Sequence, residues 1–218
     1  MDTPPVIILV RHAQSEHHIR GLTGGWTASP LTALGHQQAG LVAARLRREL
    51  GNVAPVVYTS DLPRSRQTAE HIAAAFEVAP LDDLRLREHN NGAAVDLTLT
   101  EARARFPGVY ERPWELDFRP FEGAETAREL YARAAEFMDG LPVDGPLPIV
   151  VSHGGTIRHL VARWLGIPPE AVGQVDFAAH TTAIAVLQTG RFGRRAIERM
   201  NDIAHLAGVE GWVPLPAS

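Results

Sequence analysis

Two residue types with distinctive chemistry are missing from this chain of 218 residues: it contains no cysteine, and all 21 of its basic residues are arginine. The lack of cysteine excludes disulfides, zinc–thiolate sites and cysteine nucleophiles. The lack of lysine excludes the phosphate-binding lysine of P-loops and kinases and a pyridoxal-phosphate Schiff base. A nucleophile, if the chain has one, must be another side chain.

The charge balance and the apolar runs restrict the function further. The formal net charge is −4, with 25 acidic residues, so the sequence predicts neither a nucleic-acid partner nor a membrane partner. The apolar run at 6–10 is much too short to cross a bilayer, and residues 1–5 lack the features of a signal peptide. The chain length and the 45% of hydrophobic residues predict a single domain over residues 1–218. Without a predicted membrane span or signal peptide, we expect the protein in the cytoplasm.

Apolar periodicity predicts strands that alternate with helices. Strands are predicted at 6–10, 55–59 and 148–152, with weaker patterns near 174–178, 182–188 and 195–200. Helices are predicted from a cap at Thr32 to Leu50, after a cap at Ser60 or Asp61, and at 98–106, 125–138 and 156–165. These elements indicate the α/β class, as a three-layer α/β/α sandwich with a mostly parallel sheet. Weaker periodicity at about 89–124 indicates a small inserted lid.

Histidines follow the two strongest predicted strands. The first strand runs into Arg11-His12, and the strand at 148–152 runs into His153-Gly154. Ligands of open parallel sheets bind beyond the carboxyl ends of the strands, so we expect both histidines at one site. Arg64, in the first turn after the strand at 55–59, is expected at the same edge. Gly154 lets the backbone approach a ligand, and the first N–H groups of the following helix would face an anion.

This combination of side chains suits a phosphate group. Arginine donates in a bidentate way to phosphate oxygens, and neutral imidazole, with an ordinary pKa of about 6.5, can attack phosphorus. Histidine is the nucleophile that remains, because the chain also lacks an Asp-x-Asp run. Glu88, which follows a short strand-like stretch, is a candidate donor of the proton that the leaving oxygen needs. Plainer interpretations exist: a core histidine for His12, a surface charge for Arg64 and a solvated ion pair for Glu88.

Several motifs resemble, in order, those of the histidine phosphatase (phosphoglycerate mutase-like) superfamily. They are Leu9-Val10-Arg11-His12-Ala13-Gln14-Ser15, Gly25-Trp26-Thr27, the segment 59–69, Leu86-Arg87-Glu88 and Val151-Ser152-His153-Gly154-Gly155. The resemblance covers nearly the whole chain. It implies that His12 is the phosphorylated nucleophile and that Glu88 is the general acid and then the base. It also implies a phosphate clamp of Arg11, Arg64 and His153, assisted by the backbone of Gly154, and no metal or other cofactor.

The chain departs from the family pattern at three places. Ala13 replaces the usual glycine, and His18 stands where many members have asparagine. After Glu88, His89-Asn90-Asn91-Gly92 replaces the Arg-His-Tyr-Gly of the phosphoglycerate mutase branch, which also has lysines near its substrate. The last of these departures, with the lack of lysine, favours a hydrolase over a mutase. His18 and Trp26 are further candidates for substrate binding.

We therefore predict a metal-independent phosphomonoester hydrolase that acts on a small phosphorylated metabolite through a phosphohistidine. A phosphoglycerate-type mutase is the alternative in the same fold, and a phosphate-ester-binding module without turnover is the alternative of another class. Glu16-His17-His18 is not predicted to bind metal, because adjacent histidines in a short loop point in different directions. The aromatic residues Trp114, Phe118 and Phe121 either line a substrate pocket or anchor a loop.

Overall fold

The computed structural model describes residues 6–142 and 144–210, so the expectations about residues 1–5 and about a domain end at 218 lie outside it. The strands are β1 (Val6–Arg11), β2 (Val56–Thr59), β3 (Pro80–Asp82), β4 (Pro148–Ser152), β5 (Ile184–Thr189) and β6 (Arg195–Asp202). The helices are α1 (Glu16–Ile19), α2 (Ala33–Leu50), α3 (Pro63–Ala75), α4 (Leu99–Arg105), α5 (Ala127–Asp139) and α6 (Gly154–Leu165).

The six strands form one sheet in the order β3-β2-β4-β1-β5-β6. Pairings among β1, β2, β3 and β4 are parallel, whereas β5 is antiparallel to β1, and β6 is antiparallel to β5. Arg11 at the end of β1 is in register with Ser152 at the end of β4. The carboxyl ends of these central strands therefore lie side by side at one edge of the sheet.

Helices cover both faces of the sheet, which confirms the predicted α/β sandwich. Ile7 and Leu9 of β1 pack in a core with side chains of α5 and α6. Ile8 and Val10 point to the other face and pack with side chains of α2 and α3. Because both faces are buried, β1 is a continuous apolar run rather than an alternating one. Each such side chain contributes roughly 1.5–3 kcal/mol when fully buried, which fixes the strand that carries His12.

The strand predicted near 174–178 is wrong. Residues Pro169–Gln174 form a 3₁₀ turn instead, and no strand is assigned between it and β5. This segment crosses the carboxyl edge of the sheet, where the carbonyl oxygen of Ala179 accepts a hydrogen bond of 2.6 Å from Nη1 of Arg11. Its apolar residues pack against the core without a strand partner, as Phe177 does.

Two local predictions near β2 and β3 also need correction. The stretch before Glu88 is a 3₁₀ turn, Leu84–Leu86, rather than strand-like, because β3 ends at Asp82. The cap of α3 is Leu62, with Pro63 in the first turn, and not Ser60 or Asp61. The carboxylate of Asp61 pairs with Arg87 instead and is thus turned away from the helix.

The segment at about 89–124, predicted as a lid, contains a 3₁₀ turn (Gly92–Ala94), α4 and otherwise irregular chain. It has a small core of its own, with Ala94, Phe121 and Ala124 buried together. Trp114 packs on Gly173 so closely that a Cβ there would lie 2.2 Å from the indole ring. Phe121 and Trp114 thus anchor the segment, while its role as a lid remains a prediction. Within the described ranges, no helix is long and apolar enough to span a bilayer.

Candidate active site

The chain brings the predicted site residues together at the carboxyl edge of the sheet. His12 directly follows β1, His153 follows β4 and caps α6, and Arg64 lies in the first turn of α3 behind β2. The ring centroids of His12 and His153 are 5.0 Å apart. All three side chains are almost fully buried. Parallel pairing of β1, β2 and β4 is what places residues 12, 64 and 153 next to one another.

The imidazole of His12 is held in one orientation by hydrogen bonds at both nitrogens. Its Nδ1 lies 2.7 Å from the carbonyl oxygen of Ala13, and its Nε2 lies 3.2 Å from Nε of Arg64. A carbonyl oxygen can only accept and an arginine nitrogen can only donate. We therefore assign the proton of His12 to Nδ1 and the lone pair to Nε2, the atom that faces the cluster of cations.

The electrostatic surroundings keep both histidines neutral. Burial, followed by the positive charge of Arg64, lowers the pKa of His12 well below its ordinary value. Burial and the charges of Arg64 and Arg11 do the same to the pKa of His153. A neutral imidazole retains its lone pair, so His12 is chemically able to act as a nucleophile at neutral pH.

Arg64 is a buried cation that is fixed by backbone carbonyls. Its Nη1 donates to the carbonyl of Thr27 at 2.9 Å, and its Nη2 donates to the carbonyl of Gly25 at 2.7 Å. Burial lowers the pKa of Arg64 to about 10, so the side chain keeps its charge at neutral pH. The interpretation of Arg64 as a surface charge is wrong, because the first turn of α3 faces the edge of the sheet.

Several buried polar atoms around His12 have no partner in the described part of the chain. They are Nε of Arg11 and both ring nitrogens of His153. Buried polar groups are almost always hydrogen-bonded, and leaving one unpaired costs about 1–3 kcal/mol. A neutral His153 can donate from one of its nitrogens, so Arg11 and His153 together offer donors to the acceptor oxygens of a phosphate group.

Glu88 lies beside this cluster and is held by backbone N–H groups. Its carboxylate accepts hydrogen bonds from His89 at 2.8 Å, Gly155 at 3.1 Å and Thr156 at 3.2 Å. Burial acts to raise the pKa of Glu88, but these N–H groups and the charges of Arg64 and Arg11 outweigh it and lower the pKa. Glu88 is therefore not the solvated partner of a neighbouring arginine.

The N-terminus of α6 binds the carboxylate of Glu88, whereas the sequence predicted that it would face the anion of a ligand. The helix begins at Gly154, and its first N–H groups, those of Gly155 and Thr156, donate to the Glu88 carboxylate. A Cβ at residue 155 would lie 2.5 Å from Oε1 of Glu88, whereas one at Gly154 would make ordinary contacts with Arg11. Glycine at 155 is thus required by the approach of Glu88.

Comparison with known proteins agrees with this geometry. The model of the histidine phosphatase superfamily (branch 1) matches residues 7–203. The chain belongs to this superfamily. A probable phosphoglycerate mutase (GpmB) of Yersinia enterocolitica is 34% identical over 175 residues, 76% of this chain and 77% of that one.

Solved structures share the fold of this histidine phosphatase superfamily member. Bacillus stearothermophilus YhfR has a TM-score of 0.79 at 24% identity, over 93% of this chain and 99% of that one. A phosphoserine phosphatase of Entamoeba histolytica in complex with 3-phosphoglyceric acid has a TM-score of 0.75 at 23% identity, over 93% of this chain and 99% of that one. At these identities the likeness concerns the fold.

His17 and His18 both approach His12. The ring centroid of His18 is 5.4 Å from that of His12, nearly parallel to it, and that of His17 is 6.1 Å away. The expectation that the two side chains diverge is wrong, because Ser15 bonds to the Nδ1 atoms of both within one helical turn. Burial lowers the pKa of His17 to about 3 and that of His18 to about 2.

Trp26 supports the backbone of the site, and its part in substrate binding stays a prediction. Its Nε1 donates to the carbonyl of Glu88 at 2.7 Å, and the guanidinium of Arg87 lies 4.5 Å above its ring. Arg87 is in turn paired with Asp61. One face of the indole is therefore covered, and its polar atom holds the backbone of the candidate acid.

Sequence reasoning missed the buried polar residues that position the backbone around His12. Thr68 accepts a hydrogen bond from the N–H of Ala13 at 3.0 Å, and Gln38 accepts one from the N–H of Gln14 at 2.9 Å. Ala13 fits within a small buried cluster with Leu31. The available signal was a polar residue on the predicted inner face of α2 and of α3, where burial requires a partner.

Two cavities lie near or opposite the site. One of about 300 Å³ opens beside His17 and is also lined by Arg20 and Asp96. A larger one of about 480 Å³ lies at the starts of β1 and β4, at the opposite edge of the sheet, and has no part in the site. Among residues 6–142 and 144–210, no group of three histidine or acidic side chains is arranged to hold a metal ion.

Proposed function

We propose that this chain is a metal-independent phosphomonoester hydrolase that acts on a small phosphorylated metabolite of the cytoplasm. The observation that carries the proposal is the orientation of His12, whose unprotonated Nε2 accepts from Arg64 while the ring lies beside His153, whose ring nitrogens have no hydrogen-bond partner among the described residues. Arg11, Arg64 and His153, with the backbone of Gly154, bind the phosphoryl group. Fixed donors of this kind stabilise the charge of a transferring phosphoryl group by several kcal/mol.

In the first step, the Nε2 lone pair of His12 forms a bond to phosphorus while the bond from phosphorus to the ester oxygen breaks. The carboxyl proton of Glu88 moves to that oxygen, which leaves as an alcohol. Because the N–H groups and cations around Glu88 lower its pKa, the free carboxyl is ionised. A phosphate dianion in the cradle offsets the charges of Arg11 and Arg64, raises the pKa of Glu88 and favours the protonated form that this step needs.

In the second step, a water oxygen attacks the phosphorus of phosphohistidine. One water proton passes to the Glu88 carboxylate, and the nitrogen–phosphorus bond breaks with its electron pair returning to Nε2 of His12. Inorganic phosphate leaves, and His12 regains its lone pair. Glu88 regains the proton that it gave up in the first step and releases it to solvent once the charges of Arg11 and Arg64 are no longer offset. The same carboxyl thus serves as acid and then as base, which microscopic reversibility requires of a single proton-transfer group.

The test is to trap the phosphorylated enzyme. The chain is mixed with a labelled phosphomonoester, quenched in base and digested, and the proposal expects acid-labile label on the peptide that contains His12. His12→Ala is expected to lose both the label and turnover, by at least about 10³-fold in kcat. His71→Ala is the matched control, because His71 lies on the outer part of α3 with His36 as its partner. Wild-type turnover by His12→Ala would overturn the proposal.

A phosphoglycerate mutase is the second candidate, favoured by the GpmB relative at 34% identity. Such an enzyme would return the phosphoryl group to its substrate instead of to water. The absence of lysine and the sequence His89-Asn90-Asn91 after the acid favour the hydrolase. Release of inorganic phosphate from phosphoglycerate supports the hydrolase, whereas isomerisation that depends on added bisphosphoglycerate supports the mutase.

The alternative of another class is a module that binds phosphate esters without turnover. Binding alone needs the cations but does not need Glu88, whose carboxylate is held by three backbone N–H groups. A panel of phosphomonoesters separates the two possibilities and identifies the substrate. Saturable binding of esters with no phosphate release from any of them would support the binding module.

A further inference from the structure

Behind the candidate acid lies a mostly buried ion pair that no step of the reaction uses. Arg133 of α5 and Glu125, two residues before that helix, expose only 14% and 16% of their side chains. The pair is bidentate: Nε of Arg133 lies 2.7 Å from Oε1 of Glu125, and Nη2 lies 2.9 Å from Oε2. Such planar pairing fixes the direction of the guanidinium as well as its position.

The remaining donors of Arg133 point at the backbone on which the acid is carried. Its Nη1 donates to the carbonyl of Arg85 at 2.7 Å, and its Nη2 donates to the carbonyl of Glu88 at 2.9 Å. The Glu88 carbonyl also accepts the indole N–H of Trp26 at 2.7 Å. Residue 88 is therefore held from two sides, by a helix and by the loop after α1.

Glu125 extends the same network beyond the acid. Its Oε2 accepts the N–H of Asn90 at 2.9 Å, and its carbonyl oxygen lies 2.9 Å from Nε2 of His89. The segment 85–90 thus has hydrogen bonds to one ion pair before, at and after residue 88. This segment is neither helix nor strand beyond Leu86, so it has no regular backbone ladder of its own.

We infer that Arg133 and Glu125 are positioning residues, which set the place of the Glu88 carboxyl and thereby its proton transfer to the ester oxygen. This inference rests on the proposed function and deepens it. A displacement of about 1 Å of a reacting group costs as much as about 100-fold in rate. A buried ion pair is by itself weak evidence for stabilisation of the fold, which leaves the orientation of segment 85–90 as the role that its contacts support.

The test uses leaving groups that differ in their need for an acid. An alkyl phosphate must be protonated as it leaves, whereas p-nitrophenolate leaves without help. Arg133→Lys keeps the charge but loses the planar fork that reaches two carbonyls and a carboxylate. In this variant, the rate at which the alkyl ester phosphorylates His12 is expected to fall about 10- to 100-fold. Phosphorylation by p-nitrophenyl phosphate stays close to the wild-type rate and appears as a burst of nitrophenolate, because the later attack by water also needs Glu88.

Two control variants make the outcome decisive. Glu88→Gln should show the same selective loss in stronger form, and Arg128→Lys, on the exposed side of the same helix, should match the wild type. Equal losses with both esters, or no loss with the alkyl ester, would overturn the inference. If Arg133→Lys does not fold by circular dichroism, Glu125→Gln is judged by the same criteria. Failure of wild-type phosphorylation would instead overturn the proposed function, so the two failures are distinguishable.

Discussion

Single atoms decide much of the chemistry of this site. Residue 155 has only a hydrogen where other residues have Cβ, and that hydrogen gives the Glu88 carboxylate room to reach the first N–H groups of α6. At His12, the carbonyl of Ala13 selects the tautomer that leaves Nε2 unprotonated. Neither effect involves a large side chain, and both act over the length of a single hydrogen bond.

Gly155→Ala provides a prediction at this scale. The added Cβ would lie 2.5 Å from Oε1 of Glu88, so the carboxylate must move and loses its bond to the N–H of residue 155. We expect kcat for an alkyl phosphate to fall about 10- to 100-fold, in line with the cost of a displaced catalytic group. The measurement is steady-state release of phosphate. Gly40→Ala in α2, where a Cβ meets nothing within 4 Å, should retain wild-type activity.

Helix α5 shows how an element links stability to the site. It starts with a capping box in which Oγ1 of Thr126 accepts the N–H of Glu129, and the Glu129 carboxylate accepts the N–H of Thr126. Its inner face packs Phe137 in the core, and Arg133 extends from it to the segment of Glu88. The start of this helix is therefore expected to matter for the fold more than for the chemistry.

Thr126→Ala tests that expectation. Loss of the cap should lower the free energy of unfolding by about 1 kcal/mol, because an N–H group of the first turn loses its acceptor. Urea unfolding followed by circular dichroism measures the change. Thr126→Ser keeps a hydroxyl and should remain close to the wild type. A Thr126→Ala chain as stable as the wild type would show that the cap contributes nothing.

The whole molecule buries several neutral histidines, and this sets its response to acid. Burial lowers the pKa of His12 and His153 well below the ordinary value, that of His159 to about 4 and that of His17 to about 3. In the unfolded chain these side chains take up protons near pH 6.5. Their contribution to stability is therefore complete above pH 6.5 and is lost progressively as the pH falls towards the folded-state values.

The predicted result is a fall in the free energy of unfolding between pH 7 and pH 5.5, before most carboxylates titrate. Each such histidine lowers the free energy of unfolding by up to about 1.4 kcal/mol for each pH unit below 6.5. Urea titrations at several pH values measure the slope. His159→Gln removes one titrating group and should make the slope shallower by up to that amount. A free energy of unfolding that is constant over this range would contradict the prediction.

Most strands and helices were predicted correctly, including those with long apolar patterns and the weaker strands at 182–188 and 195–200, which correspond to β5 and β6. The run at 6–10 could only be a strand buried on both faces, and the spacing from Leu34 to Leu50 could only be a helix face. Short segments gave errors: the pattern near 174–178 resembles a strand, but its chain crosses the sheet edge to supply the Ala179 carbonyl to Arg11. Such a partner is distant in sequence, so local periodicity carries no trace of it.

The amino-acid order alone determined the chemistry that is available, because a chain with no cysteine or lysine and with histidines directly after two buried strands has few nucleophiles to choose from. Only the tertiary structure decided how these groups act. The proton on Nδ1 of His12, the backbone N–H groups that hold Glu88 and the reach of Arg133 to its carbonyl depend on contacts between residues up to 68 positions apart. Hydrogen bonds are directional and short, so these contacts form only when the sheet and helices have packed. Local sequence patterns therefore do not reveal them.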